Sequence, residues 1–400
     1  MTFELPPSLG VRGDRGIAED VLSRIWGRRG VFTCTVANTL TSTIPGISEA
    51  GDTPELTLFT PAADAEFLVL GKVVCMRGLP INPGGIPTPA TLTKASLELS
   101  GMPMLIVNGG CKVVPNIPCI EVGGTYGEKI TSGRSVSNVG RSFEYGRILG
   151  EQLARTHDYI VVSESCAGGT TTALAVLLAM GTVRENLVSS SSPKNPKQLK
   201  YDTAVEGIGR AGYDIGGLAD DPLKAIEIVG DPMMPVDVGM ILGAAKRVPV
   251  IVGGGTQMAA VMAAAVKLDP SIQGNIVQGT TRWLISDPSS SMERLMEHIS
   301  DRIPIVYINM DYSLSPYEGL QAYEWGYIKE GVGCGGASVA AVAASAGRLG
   351  CGEILDEVHR LYRGVMGWDR ALRSPRSRYR TAPPEGPPPR PGISRNRNRL

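Results

Sequence analysis

The chain has 400 residues, 42% of them hydrophobic but only 5% aromatic, so its core is one of Ala, Val, Ile, Leu and Met, which favours α/β layers over an aromatic-rich β sandwich. Basic and acidic side chains number 39 each, but eight Arg stand against one Glu from Ala371 onward, which leaves residues 1–370 with 31 basic and 38 acidic groups and no nucleic-acid signature. Seven scattered cysteines without CxxC spacing indicate neither a zinc site nor a disulfide framework, and no apolar run approaches the roughly 20 residues of a membrane span, so a cytoplasmic protein with no metal and no membrane contact is expected.

In chain order, a helix near 17–28 precedes the polar stretch Thr33 to Thr39, and residues 1–60 are expected as a helical and loop segment. Short β-branched runs then alternate with Ala-rich stretches. Strands are predicted at Phe67–Leu70, Met104–Val107, Tyr159–Val162, Val248–Val252 and Ile303–Ile308, and helices near 89–100, 142–156, 170–180, 223–229, 235–246, 256–267, 291–300 and 337–348. Continuous apolar runs, each followed by a small-residue loop and a helix, describe a doubly wound, mainly parallel sheet flanked by helices over 61–350. In such sheets ligands bind at the carboxyl ends of the strands, which singles out the loops after Val107, Val162, Val252 and Ile308. Residues 351–367 read as an amphipathic helix forming a small subdomain with the first sixty. Residues 371–400, rich in Arg and Pro, carry too little apolar content to fold and are expected to be disordered.

Three loops stand out. In Tyr327 to Ser338 one carboxylate, Glu330, stands at the mouth of a glycine-rich turn (Gly331, Gly333) leading into an Ala/Val-rich helix, the arrangement of a general base beside an anion-binding loop. Ser163 to Ala173 places Glu164 before Gly168, Gly169, Thr170 and Thr171, where small residues and helix-opening amides make an anion cradle. It is no Walker loop, because no Gly-Lys-Ser/Thr follows. Gly253 and Gly254, after a third strand, repeat the design. The three histidines, His157, His298 and His359, lie away from these loops, which argues against a histidine base. Cys166 and Cys334 sit inside two of them, where a thiolate nucleophile competes with plain small-residue packing.

Together and in this order the loops resemble the nicotinate-nucleotide:dimethylbenzimidazole phosphoribosyltransferase family, in its archaeal and cyanobacterial-type branch. Glu164-x-x-x-Gly168-Gly169-Thr170-Thr171 is similar to the family's Glu-Met-Gly-Ile-Gly-Asn-Thr-Thr, and Lys329-Glu330-Gly331-Val332-Gly333 to its Gly-Glu-Gly-Thr-Gly. Between them, Gly239 to Val252 looks like the segment that leads into the family's Val-Asp-Gly loop, with Gly253 in place of the Asp. Ile44 to Ile47 and Thr60 to Glu66 are the branch's own stretches. The resemblance implies transfer of a 5-phosphoribosyl group from nicotinate mononucleotide to a benzimidazole-type base in cobamide lower-ligand assembly, without a cofactor, by a homodimer. It implies Glu330 as the catalytic base, Glu164 as a source of negative charge near the ribosyl centre, and the Gly168–Thr171 and Gly331–Gly333 loops, with Lys200 as counter-charge, on the phosphate. Two other readings stay open: a glycosyl-transfer enzyme of different specificity, and a non-catalytic mononucleotide-binding protein.

Overall fold

The computed structural model describes residues 3–51, 53–76, 81–82 and 85–372, and the Arg/Pro-rich segment expected as a disordered tail lies outside them from residue 373 on. In chain order the strands are β1 (Leu9–Arg12), β2 (Gly30–Ala37), β3 (Ile81–Asn82), β4 (Ile86–Pro87), β5 (Met104–Gly110), β6 (Ile120–Glu121), β7 (Tyr159–Ser165), β8 (Val250–Gly253), β9 (Ile276–Thr281) and β10 (Ile305–Ile308). The helices are α1 (Arg15–Ile25), α2 (Thr60–Leu70), α3 (Ala90–Ser100), α4 (Val139–Leu153), α5 (Gly169–Ala179), α6 (Lys197–Arg210), α7 (Pro222–Val229), α8 (Met233–Ala245), α9 (Thr256–Leu268), α10 (Arg282–Ile285), α11 (Met292–Ile299), α12 (Glu318–Gln321), α13 (Cys334–Ala344) and α14 (Cys351–Leu372).

Eight strands form one sheet in the order β1-β10-β9-β8-β7-β2-β5-β6, parallel throughout except for β1, which pairs antiparallel with β10 at the edge. The doubly wound α/β reading is therefore borne out. Alternate side chains of the strands feed two cores: Val31, Ile160, Val162, Val250 and Val252 pack on the face covered by α5, α8 and α9, while Phe32, Val161, Ile251, Val277 and Val306 pack on the face covered by α1, α3 and α13. Winding runs from β2 outward to β5 and β6, then returns to β7 on the other side of β2 and continues to β8, β9 and β10. The β2/β7 boundary is the switch point, where connections part and leave a crevice at the strand ends.

Two expectations are corrected. Phe67–Leu70 is not a strand but the last turn of α2, closed by Gly71 in the left-handed region (φ 67°). Its apolar run arises because α2 is buried on nearly every side, Asp64 and Glu66 included. Residues 1–60, expected as helix and loop, supply β1 and the central strand β2. β2 and β9 escaped detection because Thr33, Thr35, Gln278, Thr280 and Thr281 are polar yet buried: Thr33 Oγ1 donates to Val161 O at 3.0 Å, and Thr35 donates to the Asp237 carboxylate. At the chain ends α1 packs on α13 and α14 packs on α3.

Close backbone packing sets the position of α13. A Cβ on Gly336 would stand 2.4 Å from Gly253 Cα, so helix and strand touch main chain to main chain at this pair of glycines.

Candidate active site

One cleft opens at the switch point, with about 1350 Å³ of empty volume including its open mouth. The loops after β2, β7 and β8 line it, as do Leu284 of α10, which follows β9 directly, and the segment 328–332. Two of these loops, after Val162 and Val252, were foreseen. Those after Val107 and Ile308 are absent from the lining, and the segments after β2 and β9 were not anticipated, because their strands were not.

Of the sequence-derived residues, Glu164, Gly168, Gly169, Thr170, Glu330 and Gly331 line the cleft together. Thr171 lies in the first turn of α5, fully buried. Lys200 is also buried behind the wall, on α6, its Nζ donating to Thr170 Oγ1 at 2.9 Å and to Ser189 O at 2.6 Å. Gly253 and Gly254 lie beneath the lining: Gly253 contacts Gly336, and Gly254 N donates to Gly279 O. Gly333 precedes α13 with φ 60°. The histidines take no part in the lining.

Glu330 faces the cleft with one side and is held on the other by four donors. Gly331 N (3.1 Å), Gly335 N (3.2 Å) and Cys334 Sγ (3.0 Å) donate to Oε1, and Thr280 Oγ1 (3.0 Å) donates to Oε2. Burial raises its pKa above the ordinary carboxylate value, and those four hydrogen bonds oppose the rise. The loop that carries it is strained: Ile328 (φ 62°), Lys329 (46°) and Val332 (54°) all lie in the left-handed region, where branched residues rarely go.

Glu164, at the end of β7, accepts from Gln257 Nε2 at 2.9 Å, and the Gln257 amide occupies the space a Cβ on Gly169 would need. Burial, then Asp231 and Asp237, push its pKa well up and favour the protonated form. Burial likewise raises the thiols of Cys166, which lines the cleft, and Cys334 well above their usual value, which favours small-residue packing over a thiolate nucleophile for both.

Two groups escaped the sequence reading. Ser189 to Ser192 form a strap whose first three residues line the cleft, tied to the Gly168–Thr170 turn through Lys200. A run of four serines looks like any polar loop, and only the buried Lys200 and Asp287 behind it reveal its role: Ser189 Oγ donates to Asp287 Oδ2 at 2.6 Å. Asp64, in the first turns of α2, lines the cleft while accepting from Thr88 Oγ1 (2.6 Å) and Ser165 Oγ (2.8 Å). Burial pushes its pKa up to about 6 against those two hydrogen bonds. Its sign would have been an acid inside an apolar helix, but no helix was expected over residues 60–70.

Residues 129–284 match a family model described as phosphoribosyltransferase. A UPF0284 protein of Sulfolobus acidocaldarius is 44% identical over 334 residues, covering 83% of this chain and 94% of that protein. The chain belongs to the UPF0284 family. UPF0284 proteins of Methanopyrus kandleri (38% over 368 residues; 91% and 95% of the two chains) and Thermococcus kodakarensis (41% over 340 residues; 85% and 98%) are similar along almost the same length. Among solved structures, a nicotinate-nucleotide-dimethylbenzimidazole phosphoribosyltransferase from Thermus thermophilus superposes with a TM-score of 0.54 at 15% identity, covering 82% of this chain and 88% of that one. CobT from the same organism gives 0.55 at 16% identity, covering 86% and 92%. At such identity the likeness establishes the fold. The family-model match makes the UPF0284 chain an enzyme of the phosphoribosyltransferase class and bears out the resemblance to that family; it spans the Glu164 and Gly253 loops, while the Glu330 loop lies beyond it. Among its described residues no helix is long and apolar enough to cross a membrane.

Proposed function

We propose that this protein transfers the 5-phosphoribosyl group of nicotinate mononucleotide to a benzimidazole-type base, giving an α-riboside phosphate and nicotinate, in cobamide lower-ligand assembly. The observation that carries the reading is the placement of Glu330, a cleft-facing carboxylate with a raised pKa, in the same cavity as the Gly168–Thr170 turn and the serine strap. The 5′-phosphate would lie between that turn and strap, with Lys200 as counter-charge.

The chemistry asks little of the protein. The bond between C1′ and the nicotinate nitrogen breaks with its electron pair returning to the pyridinium ring, so the leaving group departs without a proton. The unprotonated imidazole nitrogen forms the new bond to C1′, and the proton on the other ring nitrogen passes to Glu330, a step worth roughly 10²–10⁴-fold in rate. A cationic ribosyl centre would draw Glu164 toward its ionised form and be stabilised by it. Apolar walls from Ile47, Leu56, Met76, Pro89 and Leu284 suit a flat aromatic acceptor. The homodimer implied by the resemblance belongs to this proposal, and sedimentation tests it.

Incubation with nicotinate mononucleotide and 5,6-dimethylbenzimidazole, following nicotinate release and the new riboside phosphate by chromatography, tests the reading. Glu330→Gln keeps the shape and an acceptor for the Gly331, Cys334 and Gly335 donors, and is expected to lose at least about 10²-fold in kcat. Mononucleotide binding without turnover on any aromatic base would sink it in favour of a binding protein, and phosphate-dependent cleavage of a riboside would favour a different glycosyl transfer.

A further inference from the structure

Lys329 precedes Glu330 in the left-handed region, between a β-branched neighbour in the same region and a loop that returns there at Val332. Three non-glycine residues so placed within five positions describe a loop held by its surroundings against its own preference. Those surroundings are the serine strap. Lys329 Nζ donates to Ser192 O at 3.2 Å and to Gly326 O at 2.9 Å, and stands 3.6 Å from Asp287 Oδ2, with both side chains of the ion pair almost fully buried. Ile328 N donates to Ser191 O at 2.8 Å.

The other end of the strap is held in the same manner from α6. Lys200 Nζ reaches Ser189 O at 2.6 Å and Thr170 Oγ1 at 2.9 Å, while Asp287 also takes the Ser189 hydroxyl at 2.6 Å. One unbroken network therefore runs from Thr170 through Lys200, the strap and Asp287 to the residue before Glu330. Burial couples the two ends: each lysine Nζ finds its partners among the carbonyl, hydroxyl and carboxylate oxygens around the strap, so displacing one end of the strap disturbs buried hydrogen bonds at the other.

We infer that Lys329 is a positioning residue that transmits phosphate occupancy of the Gly168–Thr170 turn and serine strap to Glu330. The inference rests on the reading that this turn and strap receive the substrate's phosphate. A dianion hydrogen-bonded to Thr170 and the strap serines draws on Lys200 and the strap together, and Lys329 carries the displacement into the strained loop. A ribosyl donor without its phosphate would thus meet a misplaced base even at saturation, which selects mononucleotides over nucleosides in kcat as well as in affinity.

Hydrogen exchange on the full chain tests this, with nicotinate mononucleotide, inorganic phosphate and nicotinate riboside as probes. In the wild type, mononucleotide and phosphate are expected to protect peptides over 168–172, 189–192 and 326–335, and the riboside to leave 326–335 unprotected. In Lys329→Met and in Lys329→Gly, which relieves the left-handed strain and guards against simple misfolding, protection at 168–172 and 189–192 persists while that at 326–335 is lost. With a mononucleotide donor these variants keep its Kd within about threefold but lose about 10²-fold in kcat, the cost of a base displaced by roughly 1 Å. Protection of 326–335 that survives in both variants, or that never accompanies protection of 168–172 in the wild type, overturns the inference. Coupled protection without nicotinate release to any base would overturn the proposed reaction and leave the coupling standing. No protection by phosphate or mononucleotide anywhere would remove both.

Discussion

Mononucleotide binding is expected to draw a proton from solvent, and Lys200 is the group that takes it. Burial, and then the neighbouring Lys329, bring its pKa down to about 7, with Asp287 opposing. Half of the free protein therefore holds a neutral amine at pH 7, and about nine-tenths at pH 8. A phosphate dianion held through Thr170 favours the charged form, and if it restores the ordinary lysine value near 10.4, uptake is about 0.5 proton at pH 7 and about 0.9 at pH 8. The sign follows: affinity falls as pH rises through 7, by about tenfold or 1.4 kcal/mol for each unit between 8 and 9. The phosphate's own second ionisation, near pH 6, contributes little there. Titration calorimetry at pH 8 in two buffers of different ionisation enthalpy reads the uptake directly, and Lys200→Met is expected to abolish it. A binding enthalpy independent of buffer in the wild type, or an uptake unchanged in the variant, would refute the placement of Lys200 as counter-charge.

Asp64, with its pKa raised to about 6 in the fold against about 3.9 unfolded, contributes stability that is present below pH 4 and lost as pH rises through 6, about 3 kcal/mol at most. Urea titrations at pH 4 and pH 7 should show this loss diminished in Asp64→Asn, and an identical loss in both proteins would mean that the carboxyl is not buried as described. Gly336→Ala forces a methyl to within 2.4 Å of Gly253 Cα, and a destabilisation of about 1–3 kcal/mol or more is expected by denaturant unfolding, since main chain cannot rotate aside. A neutral result would show that α13 does not rest on β8 as tightly as drawn. Cys166 and Cys334, both with thiols far above pH 7, are expected to resist iodoacetamide in the native protein, with mass spectrometry counting the adducts. Rapid alkylation of either with loss of turnover would reopen the thiolate reading.

Local pattern was enough for the parallel sheet and for the three loops. Apolar runs such as Tyr159 to Val162 and Val248 to Val252 need no partner to be recognised, because a strand buried on both faces has no polar side to show. Glu330 and the Gly168–Thr170 turn were legible for a related reason: small residues at a strand end and a carboxylate among glycines are patterns in consecutive residues. Tertiary structure alone decided the rest. β2 and β9 carry threonine and glutamine where apolar residues were expected, since their side chains bond to neighbouring strands and to the site, as Thr280 does to Glu330. Asp64, the serine strap and Asp287 come from three separate stretches, and nothing in their local sequence distinguishes a buried polar group from a solvated one. That distinction depends on which segments the winding of the sheet brings to one crevice, a long-range outcome of packing that a window of consecutive residues does not contain.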